Sequence, residues 1–223
     1  MSGRLPRRAT HVIFDMDGVL LDTERLYTQA TQQIVGRYGK VYDWSIKGNM
    51  IGRLAIDSAR YLVDVLDLPI TAEDYLAERE ILFETLMPTA EPMPGARALT
   101  AALAARGVPM AVASSSSRAM FQLKTMRHRP WFQSFATIVL GDDPRIRHGK
   151  PAPDLFLVAA NDLGAAPASC VVIEDAPAGV DAARAAGMQV VAIPDPGMDS
   201  VRFGGADLVV RSLADIDVEN LID

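Results

Sequence analysis

The feature that most limits the possible fold is a regular alternation of strand-like and helical segments in the second half of the chain. Continuous apolar runs occur at 108–113 and 137–140, and later in "CVVIED", "QVVAI" and "ADLVV", with helical segments between them. Strands without apolar-polar alternation that are separated by helices are typical of a parallel sheet covered on both faces. A similar run at 11–14 is expected to join the same sheet. We therefore predict an α/β fold.

Residues 25–90 follow a different pattern. Their apolar side chains recur at helical spacing, and the prolines of "MPTAEPMPG" mark the return to strand-helix alternation. This stretch is therefore predicted to be an all-helical insertion that leaves the sheet just after its first strand. The predicted domains are an α/β core of residues 9–24 and 91–223, and a helical domain of residues 25–90.

The composition limits the classes of partner. The chain has 223 residues, of which 49% are hydrophobic and 22% charged, and its net charge is -6. This balance argues against a nucleic-acid or anionic membrane surface, because such partners are bound by dense lysine and arginine fields. The single cysteine, Cys170, allows no internal disulfide and fits a reducing compartment. With no signal peptide and no long apolar span recognised, we expect a cytoplasmic protein. We also expect it to be a monomer.

Acidic and hydroxyl side chains gather where the predicted strands end. These residues are Asp15, Asp17, Ser114, Ser115, Glu174 and Asp175. The carboxyl ends of parallel strands lie at one edge of an open sheet, and ligands bind there. Carboxylates brought together repel one another unless a hard cation compensates them, and Mg²⁺ prefers one or two carboxylates with waters and phosphate oxygens. The sequence therefore predicts a Mg²⁺ site beside a phosphoryl-binding site.

The spacing of the first two acids allows them two separate catalytic roles. Asp15 and Asp17 are two residues apart in an extended segment and face the same side, so one can attack while the other handles a proton. Gly18 allows a sharp turn after them, and Lys150, in "HGKPAPD", adds a charge suited to a phosphoryl group. Each feature alone has an ordinary explanation, such as a chance D-x-D, a serine loop or a solvated lysine. Their common position at strand ends favours a catalytic site.

These motifs together resemble those of the haloacid dehalogenase superfamily of phosphotransferases. The stretches "DMDGVLLDT", "VASSS", "GKPAPD" and "VIEDAPAGVDAARAAGM" resemble its four motifs in order and in rough spacing. The resemblance spans nearly the whole chain. It implies a Rossmann-like, doubly wound parallel sheet with an inserted helical cap that closes over the active site.

The resemblance also implies how the reaction would proceed. Asp15 would be the nucleophile and form an aspartyl-phosphate, while Asp17 would protonate the leaving oxygen and later activate water. Ser114 and the backbone N–H of Ser115 would bind the phosphoryl group. Lys150 would stabilise charge on the nucleophile and on the transferring oxygens.

The metal ligands and the substrate contacts are implied in the same way. Mg²⁺ would be held by the Asp15 carboxylate, the Asp17 carbonyl and Asp175, with Glu174 behind them or as an alternate ligand. Specificity would come from the helical insertion. Within "GRLAIDSARYL", Arg53 is the candidate for a substrate contact, beside the alternative that it is a solvated arginine at a helix start.

Stretches outside the catalytic motifs, such as "LDTERLY" and "KTMRHRPWFQSFATIVLGDD", are similar to the pseudouridine-5'-phosphatase group. We therefore expect a phosphoric monoester hydrolase for a small metabolite, namely a nucleoside or sugar monophosphate, with pseudouridine 5'-phosphate among the candidates. One alternative is a sugar phosphomutase similar to β-phosphoglucomutase, although such enzymes carry a histidine where this chain has Tyr27. The other is a non-catalytic signalling module in which Asp15 only accepts a phosphoryl group.

Overall fold

The computed structural model describes residues 5–50 and 55–222. The chain divides into two compact units. The first comprises Met1–Asp22 together with Glu91–Asp223, and the second comprises Thr23–Ala90. Within the described ranges, no helix has the length and apolar character that a membrane span requires.

The first unit is built on a parallel sheet, which has six strands among the described residues. The strands are β1 (His11–Phe14), β2 (Met110–Ser114), β3 (Thr137–Leu140), β4 (Cys170–Glu174), β5 (Gln189–Ala192) and β6 (Leu208–Val209). They lie in the order β3-β2-β1-β4-β5-β6, and every neighbouring pair is parallel. The chain therefore winds outward from β1 in both directions, which is the doubly wound, Rossmann-like arrangement. This confirms the predicted fold class.

The regular secondary structure in the described residues of the second unit is all helical. Its helices are α1 (Glu24–Gly36), α2 (Trp44–Met50), α3 (Ala55–Leu66) and α4 (Ala72–Leu86). They enclose a separate apolar cluster that includes Ile34, Leu62 and Tyr75. Helix α4 begins with a capping box, in which Thr71 Oγ1 accepts from the Asp74 N–H and Asp74 Oδ2 accepts from the Thr71 N–H. A cap of this kind stabilises a helix start by about 1 kcal/mol.

The remaining α-helices belong to the first unit, where all but the last lie between strands and the last follows β6. They are α5 (Ala96–Ala105), α6 (Arg118–Lys124), α7 (Arg129–Phe132), α8 (Asp154–Asp162), α9 (Pro177–Ala185) and α10 (Val218–Leu221). Helices α8 and α9 contribute Phe156 and Val180 to an apolar core that also contains Ile13 and Val172 of the central strands. Strands β2 and β4 are buried at every residue, which explains why they read as continuous apolar runs.

Strand β2 begins at Met110, two residues later than the apolar run predicts. The Val108 N–H donates to the Leu103 carbonyl at 3.1 Å and thus still belongs to the end of α5. Gly107 between them has a φ of 69°, a conformation that glycine adopts without strain at helix ends. Val108 therefore belongs to the helix end rather than to the strand.

Candidate active site

The predicted acids and hydroxyls meet where the central strands end. Strand β1 pairs with β2 on one side and with β4 on the other. Asp15 directly follows β1, Ser114 is the last residue of β2, and Glu174 is the last residue of β4. The Asp15 N–H donates to the Ile173 carbonyl at 3.0 Å and so continues the β1–β4 ladder by one residue. Asp15 is therefore held on the rigid end of the sheet.

The loop after Asp15 is a tight turn packed against Asp175. The Gly18 N–H donates to the Leu21 carbonyl at 2.9 Å, and the Leu21 N–H donates back to the Met16 carbonyl at 3.0 Å. Gly18 has a φ of 76°, and a Cβ there would lie 2.1 Å from Asp175 Oδ2. Only glycine fits this position. The Asp175 carboxylate is consequently held against the backbone of the loop that carries the D-x-D pair.

A buried lysine joins two of the predicted acids. The Lys150 Nζ forms ion pairs with Asp15 Oδ1 and, at 2.5 Å, with Glu174 Oε1, and it also donates to the Ala113 carbonyl at 3.3 Å. The side chains of Lys150, Asp15 and Glu174 are at most 9% exposed. The Lys150 Nζ also lies 4.8 Å from the centre of the Phe156 ring. This Asp15–Lys150–Glu174 cluster is shielded from water, so its charges interact strongly.

The charges of this cluster alter its proton affinities. Burial raises the pKa of Asp15 to about 7, and the positive charge of Lys150 acts against that rise. Burial would lower the pKa of Lys150, but Asp15 and Glu174 outweigh it and the pKa stands above its ordinary value. Lys150 therefore stays a cation at neutral pH. Further positive charge beside Asp15 would lower the pKa of that carboxyl toward its usual range.

Glu174 uses both carboxylate oxygens to hold the cluster in place. Its Oε1 accepts from Lys150, and its Oε2 accepts from the Ala176 N–H at 2.8 Å. A Cβ at Gly179 of α9 would lie only 1.9 Å from Oε1. The absence of a side chain at Gly179 therefore lets α9 approach closely enough for Glu174 to be buried beneath Lys150.

The close approach at Gly179 leads to a testable expectation. Alanine normally stabilises a helix relative to glycine by about 0.5–1 kcal/mol, but the Gly179→Ala methyl would displace Glu174. We expect this variant to lose about 1–3 kcal/mol of unfolding free energy through overpacking. The matched control is Gly48→Ala in α2, where a Cβ meets nothing within 4 Å. Equal thermal unfolding midpoints for the two variants would contradict the packing described here.

Asp17 is bound by a second group of residues. Its Oδ1 accepts from the Lys124 Nζ at 2.5 Å, and its Oδ2 accepts from the hydroxyls of Ser116 at 2.9 Å and Ser114 at 3.3 Å. The Lys124 Nζ also donates to Ser116 Oγ at 2.8 Å. The structure thus brings Ser114 to Asp17, whereas the side chain of the other predicted serine, Ser115, is exposed.

Lys124 and Ser116 are contacts that the sequence reasoning missed. Lys124 lies at the end of α6, seven residues after Ser117, which caps that helix by accepting from the Met120 N–H. Residues seven apart lie on the same face of a helix, so this spacing was a usable signal that Lys124 points toward the serine loop. Arg53, the predicted substrate contact, lies outside the described residues.

The donors at this edge fit Mg²⁺. Asp15 and Asp175 are only 6% and 9% exposed, and their carboxylate oxygens are hard donors of the kind that Mg²⁺ prefers. Across residues 5–50 and 55–222, no three His, Cys, Asp or Glu side chains are grouped as metal ligands. The candidate ligands are therefore the carboxylates of Asp15 and Asp175 and the backbone carbonyl of Asp17. Such a sparse set of hard oxygens suits Mg²⁺, which retains several waters, better than a soft transition metal.

Comparison with known proteins agrees with this architecture. The chain matches the haloacid dehalogenase-like hydrolase family over residues 9–187. It is 46% identical over 215 residues to (DL)-glycerol-3-phosphatase 1, mitochondrial, of Arabidopsis thaliana. The aligned region covers 94% of this chain and 72% of that protein. It is 45% identical over 222 residues to the "Probable pseudouridine-5'-phosphatase" of Drosophila melanogaster. The aligned region covers 98% of this chain and 96% of that protein.

A solved structure extends the comparison to three dimensions. The crystal structure of a HAD family hydrolase from Deinococcus radiodurans R1, with bound phosphate and sodium, superimposes with a TM-score of 0.77 at 30% identity and covers 93% of each chain. The predicted resemblance and the predicted hydrolase class are therefore confirmed. This chain belongs to the haloacid dehalogenase-like hydrolase family.

Proposed function

We propose that this protein is a Mg²⁺-dependent phosphomonoesterase that acts on a small phosphorylated metabolite through an aspartyl-phosphate on Asp15. The observation that carries the proposal is the buried Asp15–Lys150–Glu174 cluster at the end of the central strand. A carboxylate nucleophile that attacks an anionic phosphoryl group needs positive charge fixed beside it, and Lys150 supplies that charge. The phosphatase names of both relatives support the same reaction class.

The proposed reaction has two steps. In the first, an Asp15 oxygen forms a bond to phosphorus, the bond to the alcohol oxygen breaks, and Asp17 gives that oxygen a proton. In the second, a water oxygen bonds to phosphorus, the bond to Asp15 breaks, and Asp17 takes the proton of the water. Lys150 stabilises the charge on Asp15 and on the transferring oxygens in both steps. Ser114 and the backbone N–H of Ser115 bind the phosphoryl oxygens.

The remaining acids, Asp175 and Glu174, have the roles of metal ligand and of positioning residue for Lys150. Mg²⁺, when held by the Asp15 carboxylate, the Asp17 carbonyl and Asp175, would neutralise charge on the phosphoryl oxygens. Glu174 positions Lys150, because both of its oxygens are engaged by Lys150 and by the backbone of Ala176.

The Mg²⁺ assignment can be tested without measuring activity. At a concentration of about 100 times its dissociation constant, a ligand of the native state adds about 2.7 kcal/mol of stability, so Mg²⁺ should raise the thermal midpoint by roughly 5–10 °C. We expect Asp175→Asn to lose most of this rise. Asp64→Asn, which changes an exposed acid of the helical unit, is the matched control. An equal Mg²⁺-induced rise in both variants would contradict the assignment of Asp175.

The substrate class follows from what the two relatives have in common. Glycerol 3-phosphate and pseudouridine 5'-phosphate, the compounds in their names, are both phosphate esters of a primary alcohol that carries neighbouring hydroxyls. The alkoxide that leaves from such an ester is strongly basic, so its departure needs a proton donor. Asp17 is well placed for that role, since it lies two residues after Asp15 on the same loop.

Phosphate release from a panel of monophosphates tests the proposal. The panel holds glycerol 3-phosphate, pseudouridine 5'-phosphate, uridine 5'-phosphate, glucose 6-phosphate and p-nitrophenyl phosphate, each with and without Mg²⁺. We expect release that depends on Mg²⁺, with kcat/KM for one primary-alcohol ester at least about tenfold above the others. No Mg²⁺-dependent release from any compound would refute the proposal.

The same panel addresses the two alternative functions. A phosphomutase would isomerise a hexose phosphate in the presence of a bisphosphate activator. We expect no isomerisation, because Tyr27 stands where mutases carry a histidine, and its ring packs edge-on against Phe83 at 5.0 Å. A signalling module would accept one phosphoryl group and retain it, so multiple turnovers would argue against that role.

The remaining expectations stay predictions. They are a cytoplasmic location, a monomeric state, the absence of a nucleic-acid partner, and the assignment of residues 25–90 as a cap that supplies the substrate contacts. None of them alters the chemistry proposed for the first unit.

A further inference from the structure

We propose that Lys124 is a positioning residue that fixes the Asp17 carboxylate for its two proton transfers. The inference rests on the proposed function, because it concerns the residue proposed there as the proton donor and acceptor. It adds a second lysine to the site, from a helix that carries none of the residues predicted from the sequence.

The first argument is the burial of Lys124. Its side chain is 0% exposed, whereas lysine side chains almost always reach solvent. Taking an ammonium group out of water is strongly unfavourable unless the group is paired and hydrogen-bonded. The Lys124 Nζ meets this need with Asp17 Oδ1 at 2.5 Å and Ser116 Oγ at 2.8 Å. The buried lysine is therefore paired with the carboxylate of Asp17.

The second argument is that both oxygens of Asp17 are fixed. Lys124 holds Oδ1, and the hydroxyls of Ser116 and Ser114 hold Oδ2. The carboxylate is thereby restrained against rotation about its side-chain bonds. The Asp17 side chain nevertheless remains 23% exposed, so it is restrained and still accessible to a ligand. Such restraint is what a proton-transfer group requires, because a misplacement of about 1 Å is costly in rate.

The third argument is the division of the two lysines between the two aspartates. Lys150 binds Asp15 and Glu174, whereas Lys124 binds Asp17 and Ser116. Each aspartate thus has a separate cationic anchor that comes from a different element of the fold. The carboxylates of the proposed nucleophile and the proposed proton donor are therefore held in separate positions, which suits their different roles.

A purely structural role for Lys124 predicts a different result from a positioning role. Loss of a structural lysine would reduce the turnover of all substrates by a common factor. If Lys124 positions Asp17, the fall in rate caused by its removal would depend on the leaving group. A strongly basic alkoxide needs a proton donor, and the weakly basic p-nitrophenolate does not. The ratio of kcat/KM for the best alkyl phosphate to that for p-nitrophenyl phosphate therefore separates the two roles.

The experiment measures this ratio in the full-length chain with Mg²⁺. The variants are Lys124→Met, which keeps the length of the side chain but removes its charge, and Asp17→Asn as the reference for a lost proton donor. We expect the ratio to fall at least about tenfold in Lys124→Met and further in Asp17→Asn, within the 10²–10⁴-fold range of general acid-base catalysis. An unchanged ratio in Lys124→Met would overturn the inference.

A milder variant covers the case in which Lys124→Met does not fold. Ser116→Ala removes one hydroxyl from a half-buried residue and with it one hydrogen bond to Asp17. We expect the same ratio to fall about threefold or more, and a uniform loss on both substrates would contradict the inference. Failure of the proposed function is distinguishable from these results, because the unaltered protein would then hydrolyse neither substrate.

Discussion

Asp15→Asn should abolish phosphate release, with a loss in kcat on the order of 10⁴-fold or more for every substrate. An amide has almost the same shape as the carboxylate it replaces but lacks the nucleophilic oxygen, so the site would keep its form and lose its covalent step. The Lys150 ammonium would retain Glu174 as its partner at 2.5 Å. We therefore expect the variant to fold normally, with the loss confined to chemistry.

The measurement is steady-state phosphate release with the best substrate of the panel and saturating Mg²⁺. Asp64→Asn, the same change at an exposed acid of the helical unit, serves as the control and should retain full activity. Residual activity of Asp15→Asn above about 1% of the unaltered protein, in freshly prepared material, would show that Asp15 is not the nucleophile.

Lys150→Met should affect both catalysis and stability. It removes the cation that would stabilise the transferring phosphoryl group, and the removal of one such electrostatic group typically costs about 10²–10³-fold in kcat. It also leaves Asp15 and Glu174 buried without their common partner. Breaking a buried ion pair by removing one member costs about 3–5 kcal/mol, which corresponds to a fall of roughly 10 °C in the thermal midpoint.

The stability loss in Lys150→Met should depend on pH in a defined direction. Burial already raises the pKa of Asp15 to about 7, and Lys150 opposes this rise, so its loss would raise the pKa of Asp15 further. The folded variant would then bind more protons than the unfolded chain from about pH 4 to above pH 7, and its unfolding free energy would increase as the pH falls through that window.

Thermal unfolding of the metal-free variant between about pH 5 and pH 8 measures this dependence. Lys40→Met, a change at a half-buried lysine of the helical unit, is the matched control and should lose little stability at any of these pH values. A Lys150→Met protein that is as stable as the control across the whole range would contradict the proposed role of Lys150 in the cluster.

Much of the fold and most residues of the candidate site could be predicted from local sequence patterns. The alternation of apolar runs and helices is dictated by burial on both faces of a parallel sheet, so it is visible in the sequence. Asp15, Asp17 and Glu174 could be found because each stands at or just past the end of such a run. Lys150 was found by its motif, and its ion pairs with Asp15 and Glu174 agree with the place predicted for it.

The second lysine could not be predicted in the same way. Lys124 and Asp17 are 107 residues apart in the chain, and their contact depends on the pairing of β1 with β2 and on the rotation of α6 about its axis. The seven-residue spacing from Ser117 indicates the helix face on which Lys124 lies, but without that spacing a lysine in a short helix is read as solvated. The dependence of Glu174 on Gly179 was equally hidden, because a missing side chain leaves no pattern in the sequence.

The most direct test of the account is to trap the covalent intermediate. p-Nitrophenyl phosphate would be mixed with the Mg²⁺-loaded Asp17→Asn variant, in which hydrolysis of the intermediate should be slow, and the reaction quenched with acid. Borohydride converts an aspartyl-phosphate to homoserine, which peptide mass spectrometry then locates. We predict homoserine at position 15, and none when Asp15 is also replaced by asparagine. Phosphate release by the unaltered protein with no modified residue in the trapped variant, or with the label at another residue, would contradict the account.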